Sequence, residues 1–170
     1  MTKPDVTLLY FEQNGFIPNN PYLPVLHYKK VLKNNEDKIE KIFLANKWGN
    51  TWINGIFDYH HYHSNSHEVL GVIKGSALLL LGGETGTKVI INSGDIILLP
   101  AGTGHKMLSA SPDFQVVGAY PNGQSFNVKK NTKEDLEGAE KEIQNTAFPE
   151  ADPIYEERGP LAKMWRKVGE

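Results

Sequence analysis

Gly55-Ile-Phe-Asp-Tyr-His-His-Tyr-His-Ser-Asn-Ser-His-Glu68 carries four of the chain's six histidines, His60, His61, His63 and His67, within eight residues. Neutral imidazole is the commonest metal ligand, and a solvated loop has no physical need for so many. In an extended strand successive side chains alternate faces. His61 and His63 therefore project to one side, and His60 and Tyr62 to the other. The polar break Ser64-Asn65-Ser66 lets the chain turn before the apolar run Val69-Leu70-Gly71-Val72-Ile73. The same parity admits one of His67 and Glu68 to the histidines' side, not both, and charge favours the carboxylate of Glu68.

A second stretch supplies what the first lacks. Gly94-Asp-Ile-Ile-Leu-Leu-Pro100-Ala-Gly102-Thr-Gly-His105 reads as a buried strand, a Pro/Gly corner and a histidine that opens the next strand. Such a corner can set His105 beside the first strand's ligands, which makes His61, His63, Glu68 and His105 the candidate metal-binding set. Three imidazoles and a carboxylate buried without partners would be costly to desolvate, and a divalent cation removes that cost.

The spacing resembles the cupin superfamily. Its first motif runs Gly, five residues, His-x-His, four residues, Glu, six residues, Gly, and here falls on Gly55, His61, His63, Glu68 and Gly75. Its second runs Gly, five residues, Pro-x-Gly, two residues, His, and falls on Gly94, Pro100, Gly102 and His105. That motif often ends in Asn four residues after the His; this chain has Ser109, at a position that does not bind metal. At background usage of about 7% Gly and 5% Pro, the five Gly and Pro matches alone have odds of roughly one in a million. The strings Tyr59-His-His-Tyr-His-Ser, Pro100-Ala-Gly-Thr-Gly-His, Gly118-Ala-Tyr-Pro-Asn-Gly-Gln and Asp152-Pro-Ile-Tyr narrow the resemblance to small single-domain cupins of the YjlB-like group. The resemblance implies Glu68 rather than His67 as fourth ligand, and a double-stranded β-helix, the jelly-roll barrel, with a few flanking helices.

Composition sets outer bounds. At 170 residues one domain is expected, with ordinary hydrophobic (39%) and charged (22%) fractions. A net charge of −2 gives no basic surplus for nucleic acid. The absence of cysteine excludes disulfides, thiolate metal sites and a cysteine nucleophile. No apolar run approaches a membrane span, and the N-terminal residues lack a signal-peptide core, so a cytoplasmic protein is expected. Gly82-Gly-Glu-Thr-Gly-Thr-Lys88 lacks the order of a P-loop and reads as a hairpin loop, and no Gly-x-Ser-x-Gly elbow is present.

Along the chain, a proline-punctuated lead-in reaches Pro24, with a short strand expected at 7–11 and extended chain at 24–31. His27 is expected on the surface or behind the ligands. Asn34 to Asn46 reads as a helix capped by Asn35, with Ile39, Ile42 and Phe43 as its apolar stripe. Residues 51–120 form the barrel core, with strands near 51–57, 58–63, 68–74, 76–81, 88–92, 95–100, 104–109 and 114–120. Thr132 opens a second helix whose stripe is Leu136, Ala139, Ile143 and Ala147, and Leu161 to Trp165 a last short one. The resemblance therefore implies a single cupin domain over the whole chain, 1–170: lead-in and helix over 1–50, barrel, then helix and tail over 121–170.

The functional expectation is a metal-binding cupin holding one divalent transition metal ion (Fe, Mn, Zn or Ni). Phe57, Tyr59, Leu70, Val72 and Met107 share the inward face and are expected to line the pocket. A metal-dependent dioxygenase-like or isomerase-like enzyme acting on a small polar molecule fits this set. A binding or sensing module with a structural metal is the alternative, favoured if Phe57 and Tyr59 seal the pocket. A homodimer is expected, with Tyr155 and Trp165 as anchors.

Overall fold

Strands occupy the stretch expected to form the barrel in the computed structural model, which describes residues 5–165; the outermost residues of the expected lead-in and tail lie outside it. β1 (Val6–Leu9) and β2 (Val25–Tyr28) precede a 3-10 turn (Glu36–Lys38) and α1 (Ile39–Ala45). Eight strands follow: β3 (Trp48–Asn54), β4 (His61–Tyr62), β5 (Glu68–Lys74), β6 (Ser76–Leu81), β7 (Thr87–Asn92), β8 (Ile96–Leu99), β9 (His105–Ala110) and β10 (Gln115–Pro121). A two-residue β11 (Lys129–Lys130) leads into α2 (Lys133–Leu136), α3 (Ala139–Gln144) and α4 (Pro160–Met164). All pairings are antiparallel, in a six-stranded sheet ordered β1-β2-β8-β5-β10-β3 and a five-stranded sheet ordered β11-β4-β9-β6-β7. This is the two-sheet jelly roll expected from the sequence.

The inner strands of the six-stranded sheet, β2, β8, β5 and β10, are buried on both faces, which explains why β5, β8 and β10 read as nearly unbroken apolar runs. Val25, Leu70, Val72, Ile97, Leu99 and Val116 face the barrel interior and meet Leu79, Leu81 and Ile91 of the opposite sheet. Their neighbours Leu26, Tyr28, Val69, Ile96, Leu98, Val117 and Ala119 face outward, under Ile39 and Phe43 of α1 and under Leu161 and Trp165 of the tail. Fully burying a side chain such as Phe43 contributes about 1.5–3 kcal/mol. Gly71 lets α1 come this close: a Cβ there would stand 2.5 Å from Ile39 Cγ2 and 3.0 Å from Phe43 Cζ. Asp152, fully buried, fastens the tail by accepting bonds from Tyr28 Oη (2.6 Å) and the backbone N–H groups of Ile154, Tyr155 and Leu161. Trp165 Nε1 donates to Pro24 O (2.9 Å). Leu161 and Trp165 are therefore seated on the chain's own core and are not free to anchor a second subunit, while Tyr155 packs against that core and stays partly exposed.

Several boundaries differ from expectation for local reasons. Asn35 makes no side-chain cap; Asn34, in the left-handed region, closes a turn and the helix begins through a tight 3-10 turn. α1 stops at Ala45, and β3 begins at Trp48, ahead of the expected start near 51, because the Trp48 ring is buried and its Nε1 reaches Ala151 O (2.9 Å). Thr132 accepts from Asp135 N (3.2 Å), as a cap should, but Gly138 at φ 76° breaks the expected single helix into α2 and α3. The expected strand 58–63 shrinks to His61–Tyr62, pinned by the pairing His61↔His105 on one side and Lys130↔His61 on the other.

Candidate metal centre

The two sheets each contribute to one point at the barrel's open end. β4 and the residue after it bring His61 and His63, β9 brings His105 opposite His61, and β5 brings Glu68 from the other sheet. The Pro100–His105 corner places His105: Thr103 N donates to Pro100 O (3.1 Å), and Gly102, at φ 93°, donates its N–H to His63 O (2.7 Å). A side chain at Gly102 would strike Asn19 O at 2.7 Å, so the corner needs glycine for its conformation and for its space. The lead-in buttresses it. Asn19 Oδ1 accepts from Gly104 N (3.0 Å) while its Nδ2 donates to Gly82 O (3.0 Å), and Asn20 Nδ2 donates to Ala101 O (3.1 Å).

His61, His63 and His105 are buried and offer ligand atoms that all lie within 4.8 Å of one another. Each Nδ1 is spent on a backbone carbonyl: His61 on Tyr59 O (3.1 Å), His63 on Asn127 O, His105 on Thr103 O (3.0 Å). A carbonyl only accepts, so each Nδ1 carries the proton and each Nε2 is left with its lone pair for a metal. Glu68 stands beside two of them, Oε2 3.2 Å from His63 Nε2 and Oε1 3.3 Å from His105 Nε2. The His63 contact lacks hydrogen-bond alignment, leaving a buried nitrogen without a partner. An orphaned nitrogen beside a carboxylate, in a ring of Nε2 lone pairs, fits a divalent cation.

The electrostatics favour a neutral His61 and an ionised Glu68, and at His63 a metal ion would compete with a proton. Burial, then the neighbouring His105, pushes His61 down to about 3, so it stays neutral and able to bind metal. Burial opposes the charged form of Glu68, but His63 and His105 outweigh it and hold the carboxyl well below its ordinary range. For His63 burial likewise favours the neutral ring, yet the Glu68 carboxylate outweighs it and raises the pKa.

Two residues the sequence did not single out complete the site. Tyr120 Oη donates to Glu68 Oε2 and accepts from Trp52 Nε1 (2.8 Å). Burial and the Glu68 charge raise its pKa, so it remains a donor. Asn127 supplies the carbonyl for His63 and is itself clamped, its Oδ1 accepting from Ser64 N (2.9 Å) and its Nδ2 donating to Ser64 Oγ (2.8 Å). Tyr120 was findable: it shares strand parity with Val116, which faces the barrel interior. Asn127 acts through its backbone and left no side-chain signal.

A cavity of about 250 Å³ opens over the four candidate ligands. Of the expected pocket residues, Phe57 and Leu70 line it, with Trp52, Ile56, Tyr120, Phe126 and Val128. Tyr59 stacks on Phe57 (4.9 Å between centroids) beside the mouth, under Lys130 Nζ at 5.1 Å. Val72 is fully buried in the interior cluster and Met107 packs against that cluster, both away from the cavity wall. His67 faces away from the ligands: its Nδ1 accepts from Ala101 N (2.8 Å) and its ring lies 4.7 Å from that of Trp165. Tyr62 is buried in the opposite direction and donates to Asp135 O (2.9 Å), and His60 pairs with Glu84 (2.7 Å). His27, expected on the surface or behind the ligands, is buried against Asp95 (2.9 Å). Among the described residues no helix is long and apolar enough to cross a membrane.

The Cupin domain family matches residues 54–117. The chain is 43% identical to the uncharacterized protein YjlB of Bacillus subtilis (strain 168) over 158 residues, spanning 93% of this chain and 95% of that protein. Among solved structures, the WlaRB TDP-quinovose 3,4-ketoisomerase of Campylobacter jejuni is 19% identical, with a TM-score of 0.42 over 51% of this chain and 73% of that one. The acireductone dioxygenase of Bacillus anthracis, with a cadmium ion in its active center, is 20% identical, with a TM-score of 0.36 over 54% of this chain and 60% of that one.

Proposed function

The chain belongs to the cupin family, as a YjlB-like member, and we propose that it is a metal-dependent enzyme acting on a small molecule admitted through the open end of the barrel. His61, His63 and His105 through Nε2, and Glu68 through its carboxylate, hold one divalent transition ion: Fe, Mn, Zn or Ni. Such an ion, when bound, supplies Lewis acidity or dioxygen activation. The observation that carries the reading is the uniform commitment of the three Nδ1 atoms to backbone carbonyls, which leaves three Nε2 lone pairs in one cluster, two of them beside the Glu68 carboxylate.

The chain's other residues prepare the site. The carbonyls of Tyr59, Thr103 and Asn127 fix tautomer and ring orientation, so little reorganisation accompanies ligation. Tyr120 holds Glu68 in place and keeps it ionised. The apolar wall of Ile56, Leu70 and Phe126 limits water at the reacting centre. A binding module with a structural metal is favoured by a sealed pocket, and Phe57, at 50% exposed on the mouth, leaves the pocket open; this observation supports the enzyme.

Elemental analysis of protein purified without added metal, paired with oxygen uptake across a small substrate panel, tests the proposal. Fe with substrate-dependent oxygen consumption selects a dioxygenase. Mn, Zn or Ni with product but no oxygen uptake selects an isomerase. Binding of panel members with no turnover under any of these metals would overturn the enzyme in favour of the binding module.

A further inference from the structure

Resting on the reading of a metal at His61, His63, Glu68 and His105, we infer that the site takes a molecule with an apolar body about one ring in size and a single compact, metal-chelating oxygen head. This narrows the small polar molecule that the sequence suggested to one polar at a single end.

Apart from Asn54, the cavity's polar side chains stand at its inner end. There stand the four candidate ligands and the Tyr120 hydroxyl, and that hydroxyl is already engaged between Trp52 Nε1 and Glu68. Asn54, the other polar side chain on the lining, turns its Oδ1 back to Gly55 N (2.8 Å). Everything else that a ligand's body would touch is hydrocarbon or ring: Leu70 and Ile56 on the floor, Phe126 stacked on Tyr120 at 4.1 Å between centroids. Hydroxyl groups buried against such a wall lose water and gain no partner.

Charge narrows the class further. Among the described residues lining the cavity there is no lysine or arginine. A phosphate, or a second carboxylate away from the metal, would be buried without a counter-ion, which is strongly unfavourable. The metal can neutralise one anionic head and no more.

The mouth gives an independent observation. Ile53, Phe57 and Val128 are 49%, 50% and 42% exposed, and all three sit on this one cavity. Apolar side chains gathered around an opening mark a surface that meets an apolar partner. The volume then sets the size. A cavity of about 150 Å³ lined by Leu, Ile and Phe holds a benzene. The 250 Å³ here therefore accommodates one ring together with a small head.

Two hydroxamic acids separate head from body, since acetohydroxamic and benzohydroxamic acid share one chelating head and differ as methyl against phenyl. Both are titrated calorimetrically into full-length protein loaded with Zn2+, with zinc content measured before and after. The expected result is benzohydroxamate binding at least about tenfold more tightly than acetohydroxamate, as burial of most of a ring implies. Val128→Asp or Ile53→Asp at the half-exposed mouth should cut that preference severalfold, read as the ratio of the two affinities within each variant. Equal affinities for the two compounds would overturn the apolar body while leaving the metal reading intact. Zinc retained with neither compound bound would overturn the chelated head. Failure to retain zinc at all would overturn the metal reading itself.

Discussion

Replacing Tyr120 by Phe isolates the hydroxyl that steadies Glu68. The ring is fully buried and stacks on Phe126, so the substitution keeps the wall and opens almost no cavity. Two hydrogen bonds disappear: the donation to the Glu68 carboxylate and the acceptance from Trp52 Nε1. A bond to a charged group contributes about 1.5–3 kcal/mol and a neutral one about 1, so Tyr120→Phe should destabilise the protein by roughly 2–4 kcal/mol. Loss of a partner that orients a ligand typically weakens metal binding about ten- to a hundredfold. The pH dependence has a definite sign. Tyr120 donates to the ionised form of Glu68, so removing it takes away one hydrogen bond that favours the carboxylate and shifts its pKa upward, while the larger hold of His63 and His105 remains. Protons then compete with metal at Glu68 from a higher pH, and the affinity gap between variant and native protein widens as pH falls. Competition against a chromophoric chelator at two pH values, with urea unfolding alongside, measures all three effects. Native metal affinity at both pH values, in a variant that has lost stability, would refute the link between Tyr120 and a Glu68 ligand.

The remaining predictions concern acid stability, the tail and assembly. His67 is held neutral by burial, its pKa pushed down to about 3. It therefore contributes stability fully above its unfolded value of about 6.5, and loses up to about 4–5 kcal/mol of it as pH falls from there to about 3. His67→Gln, which retains an acceptor for Ala101 N, should flatten the dependence of unfolding free energy on pH below neutrality; an unchanged slope would assign it elsewhere. Asp152→Ala leaves Tyr28 Oη and three backbone N–H groups without their acceptor and should cost about 3–5 kcal/mol, read as a lowered urea midpoint. A midpoint within error of native would show that the tail does not depend on that clamp. The homodimer remains a proposal, resting on surfaces other than Leu161 and Trp165: light scattering at micromolar concentration should give twice 19.0 kDa, and 19.0 kDa itself would end it.

Local chemistry made part of this protein readable in advance. β5, β6 and the Pro100–His105 corner lie where glycine, proline and apolar runs placed them, because those signals act over a few residues. His61 and His63 were set on one face by strand parity alone. Parity assigns a face but not a depth, which is why Leu70 reaches the cavity wall while Val72, two residues further along the same face, is sealed in the core. The supporting contacts were invisible for a different reason. Asn127 meets His63 across 64 positions through a carbonyl that every residue possesses. Asn19 reaches Gly82 across 63, from a lead-in whose prolines suggested only irregular chain. An isolated histidine such as His27 carries no local pattern, so its burial against Asp95 had to come from the fold.

The central claim is that His61, His63, Glu68 and His105 hold one divalent metal ion, and metal stoichiometry in three parallel preparations tests it most directly. Native protein, His61→Ala and His60→Ala are saturated with the same divalent ion, dialysed together and analysed for metal per chain. The structure predicts about one equivalent in the native protein, most of it retained in His60→Ala, whose ring pairs with Glu84 outside the site, and almost none in His61→Ala. Metal retained by His61→Ala and lost from His60→Ala, or absent from the native protein, would contradict it.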